Sequence, residues 1–198
     1  MSARDEVLGA IRTALGPSPA APDVPRAYRT ATGATDLGEL FAERVADYRA
    51  TVHRCSAGEL PGVLAGLLRG RTVAVPAQLP WAPEGVTLRP DDPPLSPRDL
   101  DGLDAVLSGC ALAIAETGTI LLDGSERCGR RALTLVPDHH VCVVDAGQIV
   151  DNVPAAIGAM VHDRPLTLIS GPSATSDIEL ERVEGVHGPR TLDVVIVE

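Results

Sequence analysis

Short apolar runs alternate with amphipathic stretches along most of this chain, and that alternation leaves few folds open. Thr72 to Val75, Ala105 to Leu107, Leu112 to Ala115, Thr119 to Leu122, Val141 to Asp145, Leu166 to Ser170 and Leu192 to Val197 each read as a strand bounded by glycine, proline or polar turns. A further short strand falls around Thr51 to Cys55, and an apolar patch at Val86 to Leu88 interrupts Pro-rich turns from Pro76 to Pro97. Between these runs, Asp36 with Glu39 opens a helix carrying Leu37, Leu40, Phe41, Val45 and Tyr48. Leu60, Val63, Leu64, Leu67 and Leu68 mark a second helix, with Pro61 in its first turn and Gly70 at its end. Pro154 to Val161 predicts a third. Strands and helices in alternation predict an α/β fold whose sheet contains parallel pairs.

The pattern begins at Asp36. Before it, Ser2 with Asp5 has the spacing of a capping box, and Val7, Leu8, Ile11 and Leu15 share one helical face that Gly16-Pro17 ends. Residues 16–35 are rich in Pro, Ala, Thr and Gly and have no periodicity. The chain therefore divides into an N-terminal helix and linker over residues 1–35 and one domain over residues 36–198. The apolar face of the first helix needs a partner, its own body or another protein, and packing on its own body is the simpler expectation.

Charge narrows the function. The 17 cations are all Arg, against 27 Asp and Glu, for a net charge of −10. Without Lys there is no Schiff-base or P-loop lysine. So acidic a chain lacks the basic face that phosphate backbones require, so no nucleic-acid partner is expected. The longest apolar stretches are under a dozen residues, too short for a membrane span, and no secretory signal pattern opens the chain, so a cytoplasmic location is expected. The four cysteines, Cys55, Cys110, Cys128 and Cys142, form no Cys-x-x-Cys pair and read as buried free thiols. His139 and His140 project to opposite sides of a strand, so they do not chelate one metal, and His53 and His162 sit in predicted edge or helix positions. No metal site is expected. Arg130-Arg131 is a candidate anion clamp, with an exposed helix face as the simpler reading.

Three polar loops stand out against this apolar setting. In Ala115-Glu116-Thr117-Gly118-Thr119, two hydroxyls and a glycine suit either an anion-binding turn or a hairpin with Gly118 at positive φ. Glu116 adds a carboxylate able to act as base, nucleophile or hydrogen-bond orienter. Gly171-Pro172-Ser173-Ala174-Thr175-Ser176-Asp177-Ile178-Glu179 follows a predicted strand, and α/β sheets bind ligands at the carboxyl ends of strands. Its hydroxyls either cradle an anion or cap a short helix at Ser176 or Asp177. In Gly185-Val186-His187-Gly188-Pro189, His187 is held in a tight turn, where it meets a ligand or caps a carbonyl.

Taken in this order, the three loops, together with Leu135-Val136-Pro137-Asp138-His139-His140-Val141, resemble the signature of the LUD-domain (lactate utilization) family over residues 36–198. The resemblance implies a NagB/RpiA/CoA-transferase-like fold, a Rossmann-type sheet with a β-rich insertion. It implies a part in oxidation of L-lactate to pyruvate beside iron–sulfur partner proteins that hold the clusters. This chain, lacking Cys-x-x-Cys, matches the component without a cofactor of its own. One departure is Ala174, where relatives often carry a basic residue. Two functions follow. One is an accessory subunit with a pocket for a small carboxylate or phosphate ligand. The other is a stand-alone enzyme acting on such a substrate. In the enzyme, Glu116 and His187 would be catalytic, while Thr117, Gly118, Thr119, Gly171, Ser173, Thr175 and Asp177 would bind the ligand. The accessory subunit is the first reading and the stand-alone enzyme the alternative.

Overall fold

The structure, a computed structural model, describes residues 2–17, 22–27, 31–161, 163–175 and 183–198. In chain order the helices are α1 (Ala3–Leu15), α2 (Leu37–Asp47), α3 (Leu60–Leu68), α4 (Pro97–Asp101), α5 (Arg131–Leu135) and α6 (Val153–Ala159). The strands are β1 (Thr51–Cys55), β2 (Thr72–Val75), β3 (Thr87–Pro90), β4 (Ala105–Gly109), β5 (Leu112–Ile114), β6 (Thr119–Leu122), β7 (His139–Asp145), β8 (Ile149–Val150), β9 (Thr167–Ile169), β10 (Ala174–Thr175), β11 (Val183–Glu184) and β12 (Thr191–Val197).

Six strands pair in parallel in the order β1-β12-β7-β4-β2-β3, a Rossmann-like α/β sheet. Its central strands are apolar on both faces because both faces are covered. Val73, Leu107, Val141, Val143 and Val195 pack against Leu60, Leu64 and Leu68 of α3. On the opposite face Cys142, Val144, Val194 and Ile196 pack against Phe41 and Val45 of α2 and against Ala113, Ile120 and Leu122. Those last three belong to a second sheet, ordered β8-β5-β6-β9, in which β6 runs antiparallel to both β5 and β9. Burying a side chain such as Phe41, which is 0% exposed, contributes roughly 1.5–3 kcal/mol.

Local signals set the helix ends. Asp36 accepts a hydrogen bond from the Glu39 amide at 2.9 Å, Pro61 falls in the first turn of α3, and Ser2 with Asp5 forms a complete capping box. The segment around Leu166 to Ser170 is a strand, as expected, and it joins the second sheet. One expectation needs correction. Helix α1 does not pack on the body: it has no buried residue, and Val7, Ile11 and Leu15 are exposed. The linker instead touches the domain through Thr32, whose amide donates to Asp151 Oδ2 at 2.9 Å and whose hydroxyl bonds the same carboxylate. No helix among the described residues is long and apolar enough to cross a membrane.

Candidate anion-binding site

Two of the three polar loops are laced together by backbone. The Ser173 amide donates to Pro189 O at 2.8 Å, the Gly185 amide donates to Ser173 O at 2.9 Å, and the His187 amide donates to Ser173 Oγ at 3.1 Å. Beneath this lacing lies a cavity of about 320 Å³. Its lining includes Ser170, Gly171 and Ser173, the exposed His187 with Gly188, and the exposed Arg131 of α5. The floor is His140 on β7 and Leu192 on β12, the second residue of each strand. The cavity thus meets the main sheet where β7 and β12 begin. The carboxyl end that delivers Ser170 to Ser173 is that of β9, in the second sheet. The strand-end rule for ligand sites therefore holds only for the smaller sheet.

The loop at 115–119 contributes at one remove. It is the hairpin turn between β5 and β6, with Gly118 at φ +58°. A Cβ on Gly118 would lie 2.7 Å from the Arg44 carbonyl carbon, so only glycine lets the turn pack against α2. Thr119 Oγ1 is 2.8 Å from Thr117 Oγ1 and 2.8 Å from Ser170 Oγ. The two threonines therefore orient a cavity hydroxyl without bordering the cavity. Glu116 anchors its amide on Asp151 O at 3.0 Å and is not among the residues that line the cavity. Gly171, at φ +94°, lies so near Tyr48 that a Cβ would stand 2.5 Å from Tyr48 O. The backbone of Thr175 pairs with Val183 in the β10–β11 ribbon, and Asp177 lies outside the described residues.

Two further groups emerge that the three loops did not signal. The Arg130-Arg131 pair divides. Arg130 is committed to Asp91 (Nε to Oδ2 2.6 Å, Nη2 to Oδ1 3.0 Å), which holds its guanidinium pKa above the ordinary value. Arg131 lines the cavity and has no carboxylate partner among the described residues. His140 is the other. The period of two in a strand put it on the face opposite His139, but gave no sign of what that face would meet. The four thiols are all buried and free. Cys110 donates to Gln148 Oε1 at 3.5 Å, and burial beside Cys142 pushes its thiol above the ordinary value.

Electrostatics points to the ligand's charge. The described lining contains one Arg, two His and no Asp or Glu, in a chain whose net charge is −10. Serine hydroxyls, a guanidinium and imidazoles converging on one hollow suit a small anion.

A parallel sheet backed by a second sheet, with a cavity beside them whose described lining holds no Asp or Glu, defines an α/β protein with a candidate site for a small anion. The chain belongs to the LUD domain family, whose profile matches residues 97–197. Lactate utilization protein C of Deinococcus radiodurans is 54% identical over 164 residues, covering 79% of this chain and 77% of that protein. Lactate utilization protein C of Geobacillus kaustophilus is 28% identical over 129 residues, 59% of this chain and 53% of that one. The chain thus spans about half the length of that second relative. Among solved structures, the crystal structure of a DUF162 family protein from Deinococcus radiodurans matches with a TM-score of 0.71 at 44% identity, over 82% of this chain and 96% of that one.

Proposed function

We propose that this chain is the cluster-free component of a cytoplasmic system that oxidises L-lactate to pyruvate, and that its cavity binds a small carboxylate. The oxidation removes two electrons and two protons from the substrate. Iron–sulfur proteins that partner this chain accept the electrons, and the chain itself supplies recognition. The observation that carries this reading is the acid-free lining with Arg131 unpaired among the described residues, joined to kinship with proteins named for lactate utilization. The finer fold assignment, NagB/RpiA/CoA-transferase-like with a β-rich insertion, is part of the same proposal. It is supported by the separate β8-β5-β6-β9 sheet standing beside the parallel one.

Calorimetric titration with L-lactate tests the pocket. Arg131→Gln removes the guanidinium from an exposed position, so affinity falls about tenfold while stability is unchanged. Purification from lactate-grown cells tests the partnership: iron-bearing proteins accompany the chain. Absence of lactate binding, together with a chain that purifies free of iron proteins, would refute the reading.

A further inference from the structure

The floor of the cavity holds a polar atom that charge recognition does not use. His140 is 1% exposed and is one of the residues that line the cavity. Nε2 lies 2.8 Å from Ser108 Oγ on the neighbouring strand β4. Nδ1 is buried without a hydrogen-bond partner, alone in this among the buried side-chain polar atoms of the described residues. Other buried polar side chains here are bonded: Asn152 caps α6 through the Ala155 amide at 3.0 Å, and Thr134 Oγ1 reaches Arg131 O at 3.4 Å. Buried polar groups are almost always paired, and an unpaired one destabilises the fold that holds it. Nε2 being engaged with Ser108, Nδ1 is the polar atom this ring has left to offer a ligand.

We propose that His140 is a specificity-determining residue of the cavity. Its Nδ1 hydrogen-bonds the oxygen adjacent to the carboxylate in a 2-hydroxy or 2-keto acid, and Ser108 positions the ring and sets the direction of that bond. This rests on the small-carboxylate reading above and sharpens it. A neutral imidazole carries one proton, on either nitrogen. When the Ser108 hydroxyl donates to Nε2, the proton is on Nδ1, which donates to a keto oxygen. When Nε2–H donates to Ser108, Nδ1 accepts from a hydroxyl. A serine hydroxyl serves in both directions, so one residue accommodates either oxidation state of the ligand. A carboxylate without the 2-oxygen leaves Nδ1 unpaired. Sites built to hydrogen-bond a hydroxyl or carbonyl discriminate against analogues that lack it for this reason.

The experiment titrates the full chain with L-lactate, pyruvate and propionate. The wild type binds each of the first two about tenfold more tightly than propionate, the worth of one buried hydrogen bond. His140→Gln keeps an amide within reach of Ser108 and loses the nitrogen at the Nδ1 position. In it the preference collapses to about one while propionate affinity holds. His140→Asn, with an amide atom near the position of Nδ1, retains most of the preference. In the wild type labelled with ¹⁵N-histidine, the Nδ1 resonance of His140 moves on adding lactate or pyruvate and not on adding propionate. This arm decides the matter even where the variants fail to fold. A His140→Gln protein that loses affinity for all three acids in equal proportion, or a stationary Nδ1 resonance, overturns the proposal. Equal wild-type affinity for the three acids overturns the role of His140 alone. Failure to bind any of them overturns it together with the carboxylate reading.

Discussion

His139 and His140 are consecutive residues, equally at home in the buried start of β7, yet the sheet assigns them opposite fates. On the α3 face, His139 is fully engaged: Arg71 Nη1 lies 2.5 Å from Nδ1, and Nε2 lies 2.6 Å from Asp193 Oδ2. Because an arginine only donates, Nδ1 accepts and Nε2 carries the proton given to Asp193. His53 Nε2 meets the other oxygen of that carboxylate at 2.7 Å. On the other face, His140 is bonded to Ser108, has an unpartnered Nδ1 among the described residues, and lines a cavity. Burial does not separate a structural imidazole from a ligand-facing one. Completeness of hydrogen bonding does, since a closed network holds the fold while an open one awaits a further partner.

Removing Asp193 is the most damaging way to probe this contrast. Asp193→Ala strips the acceptor from two histidines and lowers unfolding free energy by about 2–4 kcal/mol, measured by urea denaturation. Lactate affinity, on the far side of the sheet, stays as it was. If affinity falls in step with stability, the two faces are not independent and the contrast fails. Gly171→Ala strikes the cavity side. Its Cβ would stand 2.5 Å from Tyr48 O at a φ of +94°, so the wall must move, at about 2 kcal/mol in stability. Here lactate affinity falls as well, the reverse of Asp193→Ala. Gly124→Ala is the control: φ is +71° but the nearest atom is Pro165 Cγ at 3.6 Å, so strain alone applies, about 1 kcal/mol.

A smaller effect appears in acid. Burial disfavours the Asp193 carboxylate, but hydrogen bonds from His139 and His53 outweigh it and hold its pKa below the ordinary 3.8. A carboxyl depressed in the folded state contributes stability that is fully present above its unfolded value. That contribution is lost as pH falls below about 4 and through the lower folded value. Wild-type stability therefore drops in this window, and Asp193→Asn drops less steeply, as thermal melts across pH 2 to 5 would record. A variant with the wild-type slope would remove Asp193 from the network's account of acid sensitivity.

How far each feature could be read from sequence depends on the range of the interaction behind it. Asp36 with Glu39, Ser2 with Asp5, and Pro61 with Gly70 mark helix limits because capping is settled within three or four residues. The strands at Thr51–Cys55, Thr72–Val75 and Thr119–Leu122 were legible because a continuous apolar run has few other fates. The hollow formed by Ser173 and His187 was half legible, since small polar loops after buried strands are rare enough to notice. Arg131 was noted but given to solvent, and His140 was considered only as a metal ligand. Their environments come from segments far away in the chain, Ser170 to Ser173 and the turn at 187–189.

From its own residues the chain dictates where strands and helices begin, which side chains alternate across a strand, and that a net charge of −10 keeps polyanions away. Period two already separates His139 from His140, because successive side chains in a strand point to opposite faces. Only the tertiary structure decides what lies on each face. It peels β5, β6, β8 and β9 into a second sheet, sets Asp193 and Arg71 against one imidazole, and leaves the other beside a hollow. Partners 68 and 54 residues from His139 meet it only when the whole core condenses, and no local pattern along the chain encodes which of them will.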